Sequence, residues 1–69
     1  MKRILYIADN CRQCDMVSDW VRNNTDIAII NLDHDEHDPP ISIFIFPALF
    51  ENNELKAYGE DIIGALKTD

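Results

Sequence analysis

The sequence predicts an α/β domain ordered strand, helix, strand, irregular link, strand, strand, helix, with a central four-stranded mixed sheet. Three observations carry this. Two apolar runs, 3–8 and 27–30, flank a stretch of helical spacing with few residues between them, which makes a β-α-β unit and implies a parallel strand pair. Two further runs, 48–50 and 55–58, flank Asn52-Asn53, whose tolerance of positive φ suits a tight hairpin. The last stretch, 60–67, is acidic at its start and basic near its end, as a helix dipole favours. With 69 residues, one domain over 1–69 is the expectation.

Each element has a local reason. Arg3-Ile4-Leu5-Tyr6-Ile7-Ala8 is rich in strand formers and nearly all apolar, as in a strand covered on both faces. Asp9-Asn10 stops it and offers capping side chains to a helix over 12–23. There Val17, Trp20 and Val21 fall at i, i+3 and i+4 and predict the core face. Asn23-Asn24 suits a helix end in the left-handed conformation. Ile27-Ala28-Ile29-Ile30 forms the second strand, with Asp26 and Asn31 as its limits. The link from Asp33 carries Asp38, placed to cap a short helix opened by Pro39, while 41–46 fits a strand or a buried helical turn equally well. Tyr6 and Tyr58 read as strand packing residues. In the closing helix Ile62, Ile63 and Leu66 share a face, and Gly64 weakens it by about 1 kcal/mol relative to Ala.

Charge and composition exclude several classes. Six Lys/Arg against thirteen Asp/Glu give −7, which repels nucleic acid and anionic membrane surfaces. The acidic stretch from Asp33 to Asp38 reads as a solvated loop. The run after Lys2 and Arg3 is cut short at Asp9, too early for a signal peptide, and 41–50 is too short to span a bilayer. Cytoplasmic residence is therefore expected. In that compartment a close cysteine pair points to catalysis or metal rather than to a structural staple.

Cys11-Arg12-Gln13-Cys14 is that pair. It follows a strand and opens a helix, the context that marks a redox C-x-x-C. A helix N-terminus offers unpaired N–H groups and a positive dipole end, both favouring thiolate over thiol. The two-residue spacer brings the second sulfur within bonding reach of the first. Cys11, at the helix start, is the expected nucleophile. Cys14, one turn in and more buried, is the expected resolving thiol. Arg12 adds a positive charge beside Cys11.

With these residues and with Phe46-Pro47-Ala48-Leu49-Phe50 before the hairpin, nearly the whole chain resembles the thioredoxin/glutaredoxin superfamily, particularly its small members. The resemblance implies a minimal thioredoxin-like fold in which a short link replaces the family's second helix. It implies that Pro47 is cis and faces the cysteine pair. It also implies a dithiol–disulfide oxidoreductase with Cys11 and Cys14 as catalytic residues and Arg12, Gln13, Phe46 and Pro47 as substrate contacts. No bound cofactor or metal is expected, because the electrons reside in the cysteines. The implied partners are protein disulfides and a reductase as electron donor, acting on a monomer. Glutathione-binding members carry a Lys shortly before the motif, where this chain has Ala8-Asp9-Asn10, so a disulfide reductase is the expected donor. Two alternatives stand beside this: a thioredoxin-fold adaptor without turnover, and a zinc protein drawing His34 and His37 into a Cys2His2 set, at spacings unlike the usual finger.

Overall fold

The computed structural model describes residues 2–35, 39 and 42–68. Their order is β1 (Arg3–Ile7), α1 (Arg12–Asn24), β2 (Ala28–Asn31), β3 (Ala48–Glu51), β4 (Glu54–Tyr58) and α2 (Asp61–Lys67). The strands form one mixed sheet in the order β2-β1-β3-β4. β1 pairs parallel with β2 and antiparallel with β3, and β3 pairs antiparallel with β4. The parallel pair needs a crossover, and α1 supplies it. The α/β class, the mixed sheet and the element order all match the sequence expectation.

Position in the sheet explains the composition of the strands. β1 lies inside, so Leu5 and Tyr6 are both buried although they point to opposite faces. β2 is an edge, and its residues are exposed or half-buried despite an equally apolar sequence. It also begins one residue later than expected and takes in Asn31. At the far end of β1, Arg3 lies directly opposite Glu51, and their side chains make a half-buried ion pair at 3.4 Å.

The two faces of the sheet differ. On one, α1 packs on β1, α2 packs on β4, and the helices touch each other. Leu5, Val17, Val21, Leu49 and Ile62 form the core there, with Trp20, Ile63 and Leu66 packed around it. On the other face Tyr6, Ala48 and Phe50 are buried under Ile43, Phe46 and Leu32. Tyr6 and Phe50 meet edge-to-face, with ring centroids 5.3 Å apart. No helix covers this second face among the described residues, and 42–46 crosses it as irregular chain, neither strand nor helical turn. The capped turn expected at Asp38-Pro39 rests on Asp38, outside the described residues. No helix is long and apolar enough to cross a membrane among the described residues.

Both ends of α1 differ from expectation. Its N-cap is Cys11, not Asp9 or Asn10. At the other end Thr25, extended at φ −144°, closes the helix, so no left-handed Asn is used there. Thr25 donates both its N–H and its hydroxyl to the Val21 carbonyl, each at 2.8 Å. A hydroxyl that satisfies an end carbonyl removes the need for the left-handed turn. The hairpin follows expectation: Asn52 and Asn53 have φ of 53° and 68°, the signs a tight two-residue hairpin turn requires.

Two local predictions arise here. The two glycines should respond to alanine with opposite signs. Gly64 sits in α2 with open space around its missing Cβ, so Gly64→Ala stabilises by about 0.5–1 kcal/mol. Gly59 has φ +65°, and a Cβ there would stand 3.4 Å from the Gln13 side-chain oxygen, so Gly59→Ala destabilises by about 1–2 kcal/mol. Urea midpoints of the two variants, moving apart around the wild type, check both. Secondly, burial raises the Tyr6 phenol above its ordinary value of 10.0. The folded state keeps that proton where the unfolded chain has lost it, so the contribution is full below pH 10 and falls as pH rises toward the folded value. Tyr6→Phe, compared with wild type by urea unfolding, should lose less stability between pH about 9 and 11. Parallel curves would contradict this.

Candidate functional site

The site forms where β1 ends, α1 begins and the chain enters β3. Cys11 is the N-cap of α1, extended at φ −126° and ψ 107°. Its sulfur accepts the Cys14 N–H at 3.1 Å, the place an oxygen occupies in a Ser or Asp cap. Its carbonyl accepts the Asp15 N–H at 3.1 Å. The helix start is thus held by the sulfur of Cys11 and by its backbone. Cys11 and Cys14 are disulfide-bonded, with Cα atoms 5.1 Å apart. Cys14 is 1% exposed, whereas Cys11 is half-buried. The greater burial of Cys14 agrees with its expected place one turn into the helix.

The chain entering β3 meets the pair. The Phe46–Pro47 bond is cis, and the Phe46 carbonyl oxygen stands 3.9 Å from the Cys11 sulfur. A disulfide sulfur carries no proton, so this is a contact in the oxidised state; a Cys11 thiol could donate weakly along the same line. Pro47 itself is buried, and its carbonyl accepts the Gly59 N–H at 2.8 Å. The Phe46 ring turns away to pack beside Tyr6, Ala48 and Phe50. Arg12 and Gln13 are exposed on the outer side of the pair. All six sequence-predicted residues therefore fall in one region, with the Phe46 carbonyl at the Cys11 sulfur and the Phe46 side chain packed with Tyr6, Ala48 and Phe50.

A network not anticipated from sequence braces the loop before Cys11. Asp9 donates its N–H to the Asp33 carboxylate at 2.7 Å and accepts the Asn31 amide at 3.1 Å. The same Asp9 carboxylate meets His34 Nε2 at 2.8 Å. Asn31 in turn accepts the Asp33 N–H on its side-chain oxygen at 2.9 Å, an Asx turn. The start of the acidic stretch is therefore tied to the cysteine loop rather than only solvated. The Asn31-Leu32-Asp33 spacing was the available signal. These groups are exposed, so each pair is worth at most about 1 kcal/mol. His34 is engaged with Asp9, and His37 lies outside the described residues. Among the described residues no group of three or more His, Cys, Asp or Glu could hold a metal ion.

No protein-family model matches this chain, and no curated protein or solved structure matches it.

Proposed function

We propose that the chain is a dithiol–disulfide oxidoreductase of minimal thioredoxin-like fold. The observation that carries the reading is the Cys11–Cys14 bond at the start of α1, with the outer sulfur half-buried and the inner one enclosed. The sheet order, the cis Pro47 beside the pair and the hairpin leading into α2 support the same reading. The reaction needs little else. In the reduced protein the Cys11 thiolate, stabilised by the Cys14 N–H and the helix end, attacks one sulfur of a substrate disulfide. The substrate S–S bond breaks, a Cys11–substrate disulfide forms, and the departing thiolate takes a proton. Cys14 then loses its proton and attacks the Cys11 sulfur. The mixed disulfide breaks, the second substrate thiolate leaves, and two electrons have passed from the cysteines to the substrate. Cys14 is one turn away and already within bonding geometry, so resolution is intramolecular and fast. A disulfide reductase, supplying two electrons and two protons, returns the pair to dithiol.

The test is single turnover. Protein reduced with dithiothreitol and freed of it is mixed with excess bis(2-hydroxyethyl) disulfide, and Cys11–Cys14 re-oxidation is followed by thiol alkylation. Stoichiometric oxidation with release of two small thiols is the expected result, and a pair that stays reduced over hours refutes the reading. A related prediction concerns the donor. Asp9 stands just before Cys11 and the chain carries −7, so the anionic tripeptide glutathione is poorly received. Steady turnover driven by glutathione with glutathione reductase should be at least about tenfold slower than with a thioredoxin-reductase-type donor. Equal rates would contradict it. The local acid counts for more than the total, because charges beyond roughly 10 Å are screened.

A further inference from the structure

The face of the sheet opposite the helices, crossed by residues 42–46, holds an apolar groove of about 170 Å³. Ala48 and Phe50 make its floor, Phe44 and Ile45 one wall, and Leu55 and Tyr58 the other. The second wall is made by an irregularity in β4. Phe50 pairs with Leu55 but Leu49 pairs with Ala57, which leaves Lys56 as an extra residue. In a regular strand Leu55 and Tyr58 would point to opposite faces. The bulge puts both opposite floor residues, Leu55 facing Phe50 and Tyr58 facing Ala48, so both serve the groove. They remain 44% and 47% exposed, and Phe44 is 90% exposed. Such exposure of bulky apolar side chains around one concavity is unusual for a surface with no partner.

The geometry points to this groove as the docking site for a bulky apolar side chain of the substrate polypeptide, on a segment that carries Lys or Arg and lacks acids. This rests on the oxidoreductase reading and names its substrate class. Size is the first argument. Small-molecule sites usually measure about 300–1,000 Å³, so this groove suits one side chain better than a free cofactor or metabolite. Continuity is the second. Phe46, whose carbonyl touches the Cys11 sulfur, directly follows wall residue Ile45, and floor residue Ala48 is two residues on. Consecutive Cα atoms lie about 3.8 Å apart, so an extended substrate reaches the groove with a residue roughly two to four positions from its cysteine. Charge is the third. Among the described residues none that lines the groove is charged, so an apolar side chain enters without desolvating an ionic group, and at low salt the net −7 favours a basic segment over an acidic one. The same −7 on each copy opposes a second copy of the chain as occupant.

Two peptides test this. Both have Lys near each end and one cysteine as its mixed disulfide with 2-mercaptoethanol; three residues from the cysteine one carries Phe and the other Ser. The reduced protein should consume the Phe peptide about tenfold faster than the Ser peptide. The double variant Phe44→Ser/Leu55→Ser should lose that preference while reducing bis(2-hydroxyethyl) disulfide at the wild-type rate. Fluorescence anisotropy with a labelled Phe peptide in which Ser replaces Cys supplies a readout without redox chemistry. It should show binding to the oxidised protein that weakens about tenfold in the double variant. Equal rates on the two peptides, or a preference that survives in the double variant, overturn the proposal. A wild-type dimer in sedimentation that the double variant disperses also overturns it, because a second copy then fills the groove. If no disulfide is reduced yet Phe-dependent binding persists, the oxidoreductase reading fails and the groove's role as a docking site for an apolar, basic segment is upheld.

Discussion

Cys14→Ser is expected to convert the protein from a turnover catalyst into a trap. The variant keeps the half-buried attacking sulfur of Cys11 and the N–H of residue 14 that points at it, since a backbone donor survives the substitution. Attack on a substrate disulfide therefore proceeds, and the mixed disulfide forms. The intramolecular thiol that would release it is gone. Escape then depends on an external thiol, and a well-placed internal group is worth an effective concentration of about 10⁵–10⁸ M in favourable cases. Non-reducing gels after exposure to cell extract should show covalent adducts that vanish with dithiothreitol. Cys11→Ser should show few, because Cys14 is enclosed at 1% exposure and cannot meet a substrate disulfide. Equal trapping by both variants, or trapping by Cys11→Ser alone, would reverse the roles of the two sulfurs.

Leu49→Ala should bring the largest loss of stability. Leu49 is 1% exposed on β3, where it joins Leu5 of β1, Val17 and Val21 of α1 and Ile62 of α2. It therefore sits where both helices meet the sheet. Buried Leu→Ala changes cost about 2–5 kcal/mol. At roughly 0.05–0.15 kcal/mol per residue a chain this short has about 3–10 kcal/mol in total. The variant should melt about 10 °C or more below wild type, with a lower urea midpoint and an unchanged slope. A shift below about 1 kcal/mol would mean that the helix-covered face is not the principal core.

How much was legible in advance depends on the range of the interaction. The β-α-β start, the hairpin and the closing helix were readable because each is set by a local pattern: apolar runs, helical spacing, and Asn52-Asn53 at positive φ. The pairing of Cys11 with Cys14 was readable because one helical turn separates them. The α1 caps were not. Asp9, Asn10, Asn23 and Asn24 all have side chains suited to the role, and the choice among near-equivalent caps went to Cys11 and Thr25. Asp9 was drawn instead into contacts with Asn31, Asp33 and His34, residues more than twenty positions away.

The sequence by itself determined which residues are strand and helix formers, where the chain turns, and that two cysteines share the opening turn of a helix. These depend on neighbours within a few positions, where propensity and spacing act directly. Only the tertiary structure decided that β1 is central and β2 an edge, although their sequences are equally apolar, because burial depends on where a strand sits in the sheet. It likewise decided that the Phe46 carbonyl stands at the Cys11 sulfur while its side chain packs with Tyr6, Ala48 and Phe50. The bulge at Lys56 belongs to the same class. Whether Leu55 and Tyr58 share a face is a property of their register against Phe50 and Ala48, and a strand read alone carries no record of its partner.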